Sequence, residues 1–323
     1  MNIPKLPDIP DNIKNAAIQG KLIIFVGAGV SRLLGCPSWT EFAEKHLEAI
    51  KNAGIINHFV YDRLKEMGQR DPRKLLTICK VLIKEAGLKK INIGEMLKPD
   101  PVKLKKHKIY QYLYSFNAVY VTTNFDDLLD RELKKRRLVI SPRPSTPNAT
   151  TTPLIKPEDC KVFYKENDLH VSTLINNGNI IHLHGCLNDP DNLIITFPEY
   201  AKHYEAGSRA SFLLQGVFKK TVLFVGYGLE EYEILEYILQ KAGTTKNEIK
   251  HTMLLAAFKE ESELMDQMKK YYQGMGIQLI PFSKTENGHE QLEEVIKKWS
   301  QEIGSIAEPP GFLENKKIID EVI

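Results

Sequence analysis

Cysteine is scarce in this chain: its 323 residues hold four, Cys36, Cys79, Cys160 and Cys186. None forms a C-x-x-C pair, and none has a histidine at the spacing of a zinc site. A disulfide scaffold or zinc-knuckle fold is therefore excluded, and reduced thiols are expected. An excess of one charge is also lacking, since the formal net charge is +3. The basic runs at 103–108 (KLKKHK) and 134–137 (KKRR) have little aromatic interleaving and read as solvated helix faces, not as a nucleic-acid footprint. Long apolar runs are missing too. The start, MNIPKLPDIPDNIK, has no apolar core for a signal peptide, and no run approaches membrane-spanning length. These absences predict a soluble, cytoplasmic protein with neither nucleic acid nor membrane as partner.

With 42% hydrophobic and 26% charged residues, the chain has the composition of a globular protein. Short apolar runs, rich in branched residues, recur at 21–26 (KLIIFV), 117–123 (NAVYVTT), 179–185 (NIIHLHG), 221–228 (TVLFVGYG), 251–257 (HTMLLAA) and 277–282 (IQLIPF). Such continuous runs fit strands covered on both faces of a parallel sheet. Between many of them lie amphipathic helical segments, as at 37–54, 126–135 and 230–243, and later segments close on Gly276 and Gly304. The expected fold is α/β: a Rossmann-like, doubly wound parallel sheet of about six strands. One domain is expected over 9–303. It carries an inserted helical module at about 55–116, where consecutive helical patterns interrupt the alternation. Residues 141–160, rich in proline and threonine, read as an irregular connection and candidate site wall. Residues 304–323 read as a tail or docking segment.

Four of these strands end in polar or glycine-rich sequence. In a parallel sheet the four ends share one edge, where ligands of open α/β sheets bind. Gly27-Ala28-Gly29-Val30-Ser31 lets backbone approach a phosphate at a helix start, although it also suits a plain strand-to-helix turn. Arg32 occupies the third glycine position of G-x-G-x-x-G, and no acidic strand end follows about twenty residues on, so an ordinary NAD-dependent dehydrogenase is disfavoured. Thr122-Thr123-Asn124-Phe125-Asp126-Asp127 reads either as a helix cap with early acidic residues or as a source of ribose and amide contacts. Gly226-Tyr227-Gly228 repeats the glycine pair, which suggests an extended, phosphate-bearing ligand. Tyr227 suits a ribose or base contact or a boundary aromatic, and Glu230 and Glu231 suit the next helix dipole.

His182 and His184 stand two apart and so share one face of their strand. An imidazole titrates near neutral pH and is a natural base. Gly185 leaves His184 at the sheet edge, which makes it the candidate base. His182, one pleat deeper, is assigned a structural role. No third ligand stands near the pair, so no metal site is expected.

The ordered motifs GAGVS, TTNFD, HLHG and GYG resemble the sirtuin NAD-binding fold. They resemble more closely the sirtuin-like NAD-hydrolysing domains of bacterial anti-phage defence proteins, over roughly residues 15–300. The resemblance implies NAD as substrate. Gly27, Ala28, Gly29 and Ser31 would line its phosphates, and Thr123 would be a further cofactor-binding residue. Asn124 and Asp126 would sit at the nicotinamide ribose and carboxamide, His184 would be the catalytic histidine, and Gly226, Tyr227 and Gly228 would form the later ribose-phosphate loop. Three departures matter. Pro37-Ser38-Trp39-Thr40 stands where sirtuins usually carry Pro-Asp-Phe-Arg. Thr123 replaces a common glutamine. The paired C-x-x-C zinc motifs are absent, so no zinc is expected, and with them goes the module that shapes an acyl-lysine groove.

The implied reaction is hydrolysis of NAD to nicotinamide and ADP-ribose, depleting NAD in abortive infection. Asn124 would position the ribose or water, His184 would be the base, and Asp126 would orient the leaving carboxamide. The alternatives are a sirtuin-type deacylase or ADP-ribosyltransferase, and a non-catalytic NAD or ADP-ribose sensor. Because unchecked NAD hydrolysis is toxic, the resemblance implies control by homo-oligomerisation or by a separately encoded partner such as a HerA-type ATPase.

Overall fold

A computed structural model describes residues 3–88, 91–139, 159–229, 231–242, 250–284 and 290–307. After α1 (Asp11–Ile18), the apolar run expected at 21–26 forms β1 (Leu22–Val26), every residue of which is buried. The other runs form β2 (Ala118–Thr122), β4 (Ile180–His182), β5 (Thr221–Val225), β6 (His251–Ala257) and β7 (Ile277–Ser283). A two-residue edge strand, β3 (Val162–Phe163), makes the described sheet seven-stranded, where sequence periodicity pointed to about six. All pairings are parallel, in the order β3-β4-β2-β1-β5-β6-β7. The sheet is therefore Rossmann-like and doubly wound, as the alternation of patterns implied.

Register decides where the motifs fall. Val26 pairs with Thr122 and Val225, and Thr122 pairs with His182. These four residues form one row across the carboxyl edge. The loops that follow, GAG, TNFD, LHG and GYG, therefore emerge at the same level. The chain leaves β1 toward β2 on one side and returns to β5 on the other, so the crevice lies at the topological switch beside β1.

Alternate residues of each strand feed two cores. Leu22, Ile24, Val26 and Tyr120 face one layer with Trp299 and Ile296 of α14 (Gln291–Ala307). Ile23, Phe25, Val121 and Phe224 face the other layer, built on Tyr200 of α10 (Phe197–His203), Leu213 and Leu214 of α11 (Arg209–Val217), Ile234 of α12 (Tyr232–Ala242) and Met265 of α13 (Ser262–Gln273). α14 continues through Gly304 to Ala307 and does not stop at the glycine.

The helices after β1 are α2 (Ala28–Leu33), α3 (Trp39–Asn52), α4 (His58–Arg70), α5 (Pro72–Glu85), α6 (Ile93–Met96), α7 (Pro101–Lys106) and α8 (Ile109–Leu113); α9 (Leu128–Val139) follows β2. Phe42, Leu47, Ile50, Leu75, Leu76 and Cys79 from α3 and α5 build a third core, which also takes in Phe125, Leu193 and Ile195 from loops at the sheet edge. These helices therefore sit as a cap on the carboxyl edge. α8 instead packs into the first sheet layer through Ile109 and Leu113. Of the connection expected at 141–160, residues 141–158 lie outside the described residues. So do residues 308–323 of the expected tail.

Candidate functional site

The two glycine loops meet each other directly. Gly29 donates its amide to the Gly226 carbonyl at 2.8 Å, and Gly27 donates to Val225 at 2.9 Å. A Cβ on Gly27 would stand 2.5 Å from the Gly226 oxygen, and one on Gly226 (φ +62°) would stand 2.6 Å from the Val30 nitrogen. At these positions glycine is required by the mutual approach of the loops, whatever ligand they serve. Gly27 caps α2 without a side chain. Tyr227 turns inward, its ring 4.8 Å from Phe25 and stacked 6.0 Å from Phe224. Gly228 is exposed beyond it.

Ser31, Asn124 and Asp126 form one buried network. Asn124 Nδ2 donates to the Gly27 carbonyl at 3.1 Å and to Ser31 Oγ at 2.9 Å. Ser31 Oγ donates to Asp126 Oδ2 at 2.6 Å and lies 2.7 Å from the Tyr110 hydroxyl. Asp126 Oδ1 accepts from the Leu128 amide at 3.2 Å, so the residue also caps the approach to α9. Burial pushes the Asp126 carboxyl above the usual carboxylate range, against the opposing pull of Ser31 and Leu128. The network leaves one atom over: Asn124 Oδ1 is buried with no partner among the described residues. An orphaned buried acceptor costs about 1–3 kcal/mol, so its natural partner is a ligand hydroxyl or a water.

Asn124, Ser31, Ala28, Thr123 and Asp126 line one cavity of about 40 Å³, roofed by Pro37, Ser38, Trp39, Phe42 and Leu97. Pro37-Ser38-Trp39-Thr40 is thus a helix start. Ser38 Oγ accepts from the Glu41 amide, and Glu41 accepts from the Ser38 amide at 2.6 Å. Trp39 meets Phe125 edge-on at 5.5 Å, which draws the cap down over Asn124. The cavity offers room for a few waters. The cavity is partly open to solvent and its exposed lining is more apolar than polar; a dinucleotide exceeds its volume, so full entry requires the cap to move.

His182 and His184 part company. His182 Nδ1 lies 3.0 Å from the Asn124 carbonyl and Nε2 lies 2.9 Å from Asp130 Oδ1. Both partners only accept, so both nitrogens carry protons. Burial opposes the charge, but the Asp130 carboxylate outweighs it and raises the imidazole's affinity for a proton. His182 thereby holds the backbone of Asn124. Asp130, His182 and Cys186 offer ligand atoms within 4.8 Å of one another. That geometry is accounted for by the ion pair itself, beside a thiol pushed up to about 11, chiefly by burial.

His184 is fully buried and does not line the Asn124 cavity. Its Nε2 lies 2.6 Å from the Tyr204 hydroxyl and its Nδ1 lies 3.2 Å from the Tyr200 hydroxyl. Burial, then His203 and Arg73, hold its proton affinity well below the ordinary imidazole value, so it is neutral.

Sequence reasoning missed the group beside it. Glu231 Oε2 lies 3.6 Å from His184 Nε2, and the Glu231 side chain is 12% exposed. Burial raises its carboxyl to about 8, with Arg73 opposing and Glu233 adding to the shift. Arg73, on α5 of the cap, donates to Glu233 Oε1 at 2.6 Å and lies 3.8 Å over the Tyr200 ring. The helical spacing of Tyr200 and Tyr204 was the visible signal of a polar aromatic face. Glu231 looked like a dipole residue, and nothing local ties it to position 184.

A family model described as the SIR2-like domain matches residues 118–280, half of the chain. The match takes in the TTNFD, HLHG and GYG motifs, while GAGVS precedes it. The curated protein Defense-associated sirtuin 2 of Bacillus subtilis is 22% identical over 318 residues, which cover 96% of this chain. The same alignment spans 28% of that protein's length. With four motifs at one edge of a parallel sheet, the chain belongs to the SIR2-like domain family.

Proposed function

We propose that the chain is an NAD glycohydrolase that cleaves NAD to nicotinamide and ADP-ribose and acts as an NAD-depleting effector of anti-phage defence. The observation that carries the reading is the orphaned Asn124 Oδ1, buried among residues that line a small cavity at the switch point. Membership of the SIR2-like family supports NAD as the ligand, and the name of the Bacillus subtilis relative supports the defence setting. Asn124 Oδ1 accepts from the attacking water or a ribose hydroxyl, while Ser31 and Gly27 hold its amide in place. Asp126 has lone pairs left after its bonds to Ser31 and Leu128 and accepts from the leaving carboxamide. Gly27, Ala28, Gly29, Ser31 and Thr123, with the backbone of Gly226, Tyr227 and Gly228, form the walls of the phosphate and ribose path, and the Tyr227 ring backs them from the core. His184 is the base, reached when the cap lifts and a tyrosine hydroxyl gives way. None of these roles calls for zinc.

The small cavity and the tyrosine-bound histidine support a low resting rate raised by assembly, whether as a homo-oligomer or with a separate partner such as a HerA-type ATPase. The test is nicotinamide release from NAD by the purified protein, alone and with candidate partners. The reading expects release that falls at least about 100-fold in Asn124→Ala and in His184→Ala, the scale seen when a positioned catalytic group is removed. Equal release by wild type and His184→Ala would sink it.

A further inference from the structure

We propose that Glu231 is a positioning residue acting through His184: its carboxylate, formed by loss of a proton to solvent, balances the imidazolium that appears when His184 accepts a proton from the attacking water or hydroxyl. The proposal rests on the hydrolase reading above and names a group outside the expected site.

A charge on buried His184 needs a counter-charge close by. The groups facing His184 and Glu231 come from several elements: Arg73 on α5, Tyr200, His203 and Tyr204 on or beside α10, Tyr227 after β5, and Glu233 on α12. Arg73 and Glu233 pair with each other at 2.6 Å, and Arg73, the nearer in effect, still disfavours a proton on His184. The three tyrosines are held well above their ordinary value by burial and stay neutral. His203 is pushed down to about 4, chiefly by burial, and is neutral as well. Protonating His184 beside a neutral Glu231 would leave one net charge in the protein interior, which is strongly unfavourable. Among the described residues, Glu231 is the remaining group able to offset it. Its Oε2 is buried without a hydrogen-bond partner among the described residues, 3.6 Å from the ring nitrogen, while the Thr123 and Tyr227 side chains face the carboxyl and favour its ionised form.

The step balances. With Glu231 ionised, neutral His184 takes a proton from the attacking water. The water oxygen bonds to the ribose carbon, and the carbon–nitrogen bond to nicotinamide breaks with its electron pair on the departing nitrogen. An imidazolium–carboxylate pair of zero net charge remains, and it later loses the proton to solvent.

Two measurements test this on the full chain. The first is the pH profile of kcat for nicotinamide release. Wild type should rise roughly tenfold per pH unit below a midpoint near 8. Glu231→Gln should be slower and lack that limb, Glu231→Asp should keep part of it, and KM should change little. The second follows the His184 ring resonances of nitrogen-labelled protein. They should show an inflection near pH 8 that vanishes in Glu231→Gln. A Glu231→Gln protein with the wild-type profile overturns the proposal, and so does a His184 resonance with no inflection between about pH 7 and 9. Wild-type protein that shows the inflection but releases no nicotinamide overturns the hydrolase reading and leaves the coupled pair standing.

Discussion

The amide of Gly29 donates to the carbonyl of Gly226 at 2.8 Å, and that bond makes one packed unit of two loops almost 200 residues apart. The first prediction follows from the space it leaves. Gly226→Ala must accept a left-handed φ of +62° and a Cβ 2.6 Å from backbone nitrogen. Gly54 has a similar φ of +71°, but a Cβ there meets nothing within 4 Å. Conformational strain costs about 1–3 kcal/mol in either variant. The clash adds to this at Gly226 alone, so its total should exceed about 3 kcal/mol. Urea denaturation of the two variants measures the difference, and equal midpoints would show that the loops are not locked together.

Asn124 supplies the second prediction. Replacing it by alanine removes the bonds to Gly27 and Ser31, at a cost of about 1–2 kcal/mol of stability. It also removes the orphaned Oδ1. Asn124→Asp keeps an oxygen at that place but loses the amide donor to Gly27 and adds charge beside buried Asp126. Both variants should remain folded by circular dichroism while NAD binding, followed calorimetrically, weakens by at least about tenfold. Unchanged affinity in both would remove Asn124 from the ligand site.

Much of this arrangement was legible in sequence, for a physical reason. A strand buried on both faces must be apolar throughout, so β1, β2, β4 and β5 announced themselves, and a parallel sheet puts their polar ends on one edge. The two residues of β3 are too few to show any period. The glycine loops invited a reading as phosphate cradles, yet Gly27, Gly29 and Gly226 are already required by backbone contact. The helical pattern around 55–116 was visible, but not that Phe125 anchors the cap, because a single aromatic in a polar loop carries no periodicity. Glu231 was hidden most deeply. Its environment comes from residues 73, 123, 184, 200, 204 and 227, and burial there raises the proton affinity of a helix-start glutamate.

His182 makes a third prediction. His182→Leu leaves Asp130 buried without its counter-charge, and breaking such a pair costs about 3–5 kcal/mol. The double variant with Asp130→Leu removes the stranded charge and should recover part of the loss. The pH sign is set by the raised proton affinity of His182. Its contribution is fully present below about pH 6.5 and fades as pH rises through the higher folded value. Chemical denaturation between pH 6 and 9 should therefore show a decline in wild type that is reduced in the double variant. If the single and double variants are equally unstable, the ion pair is not what holds the strand end.

Other buried histidines act in the opposite direction and give the last prediction. His184 is held well below its ordinary value, His46 is lowered, and His203 and His251 fall to about 4, with burial the first cause in each case. The unfolded chain binds protons at these sites near pH 6.5, while the folded chain refuses them until far lower pH. Stability must therefore fall as pH drops from 6.5 toward 4, the slope growing with the number of histidines held neutral. For His251 alone the shift from 6.5 to about 4 corresponds to roughly 3 kcal/mol across that window. His251 Nδ1 is buried without a partner among the described residues, so replacement by leucine breaks no hydrogen bond at that atom. A His251→Leu variant should show a visibly shallower loss of melting temperature between pH 6.5 and 4.5 than wild type. Parallel curves would mean that His251 is protonated in the folded protein and that water reaches the edge of β6.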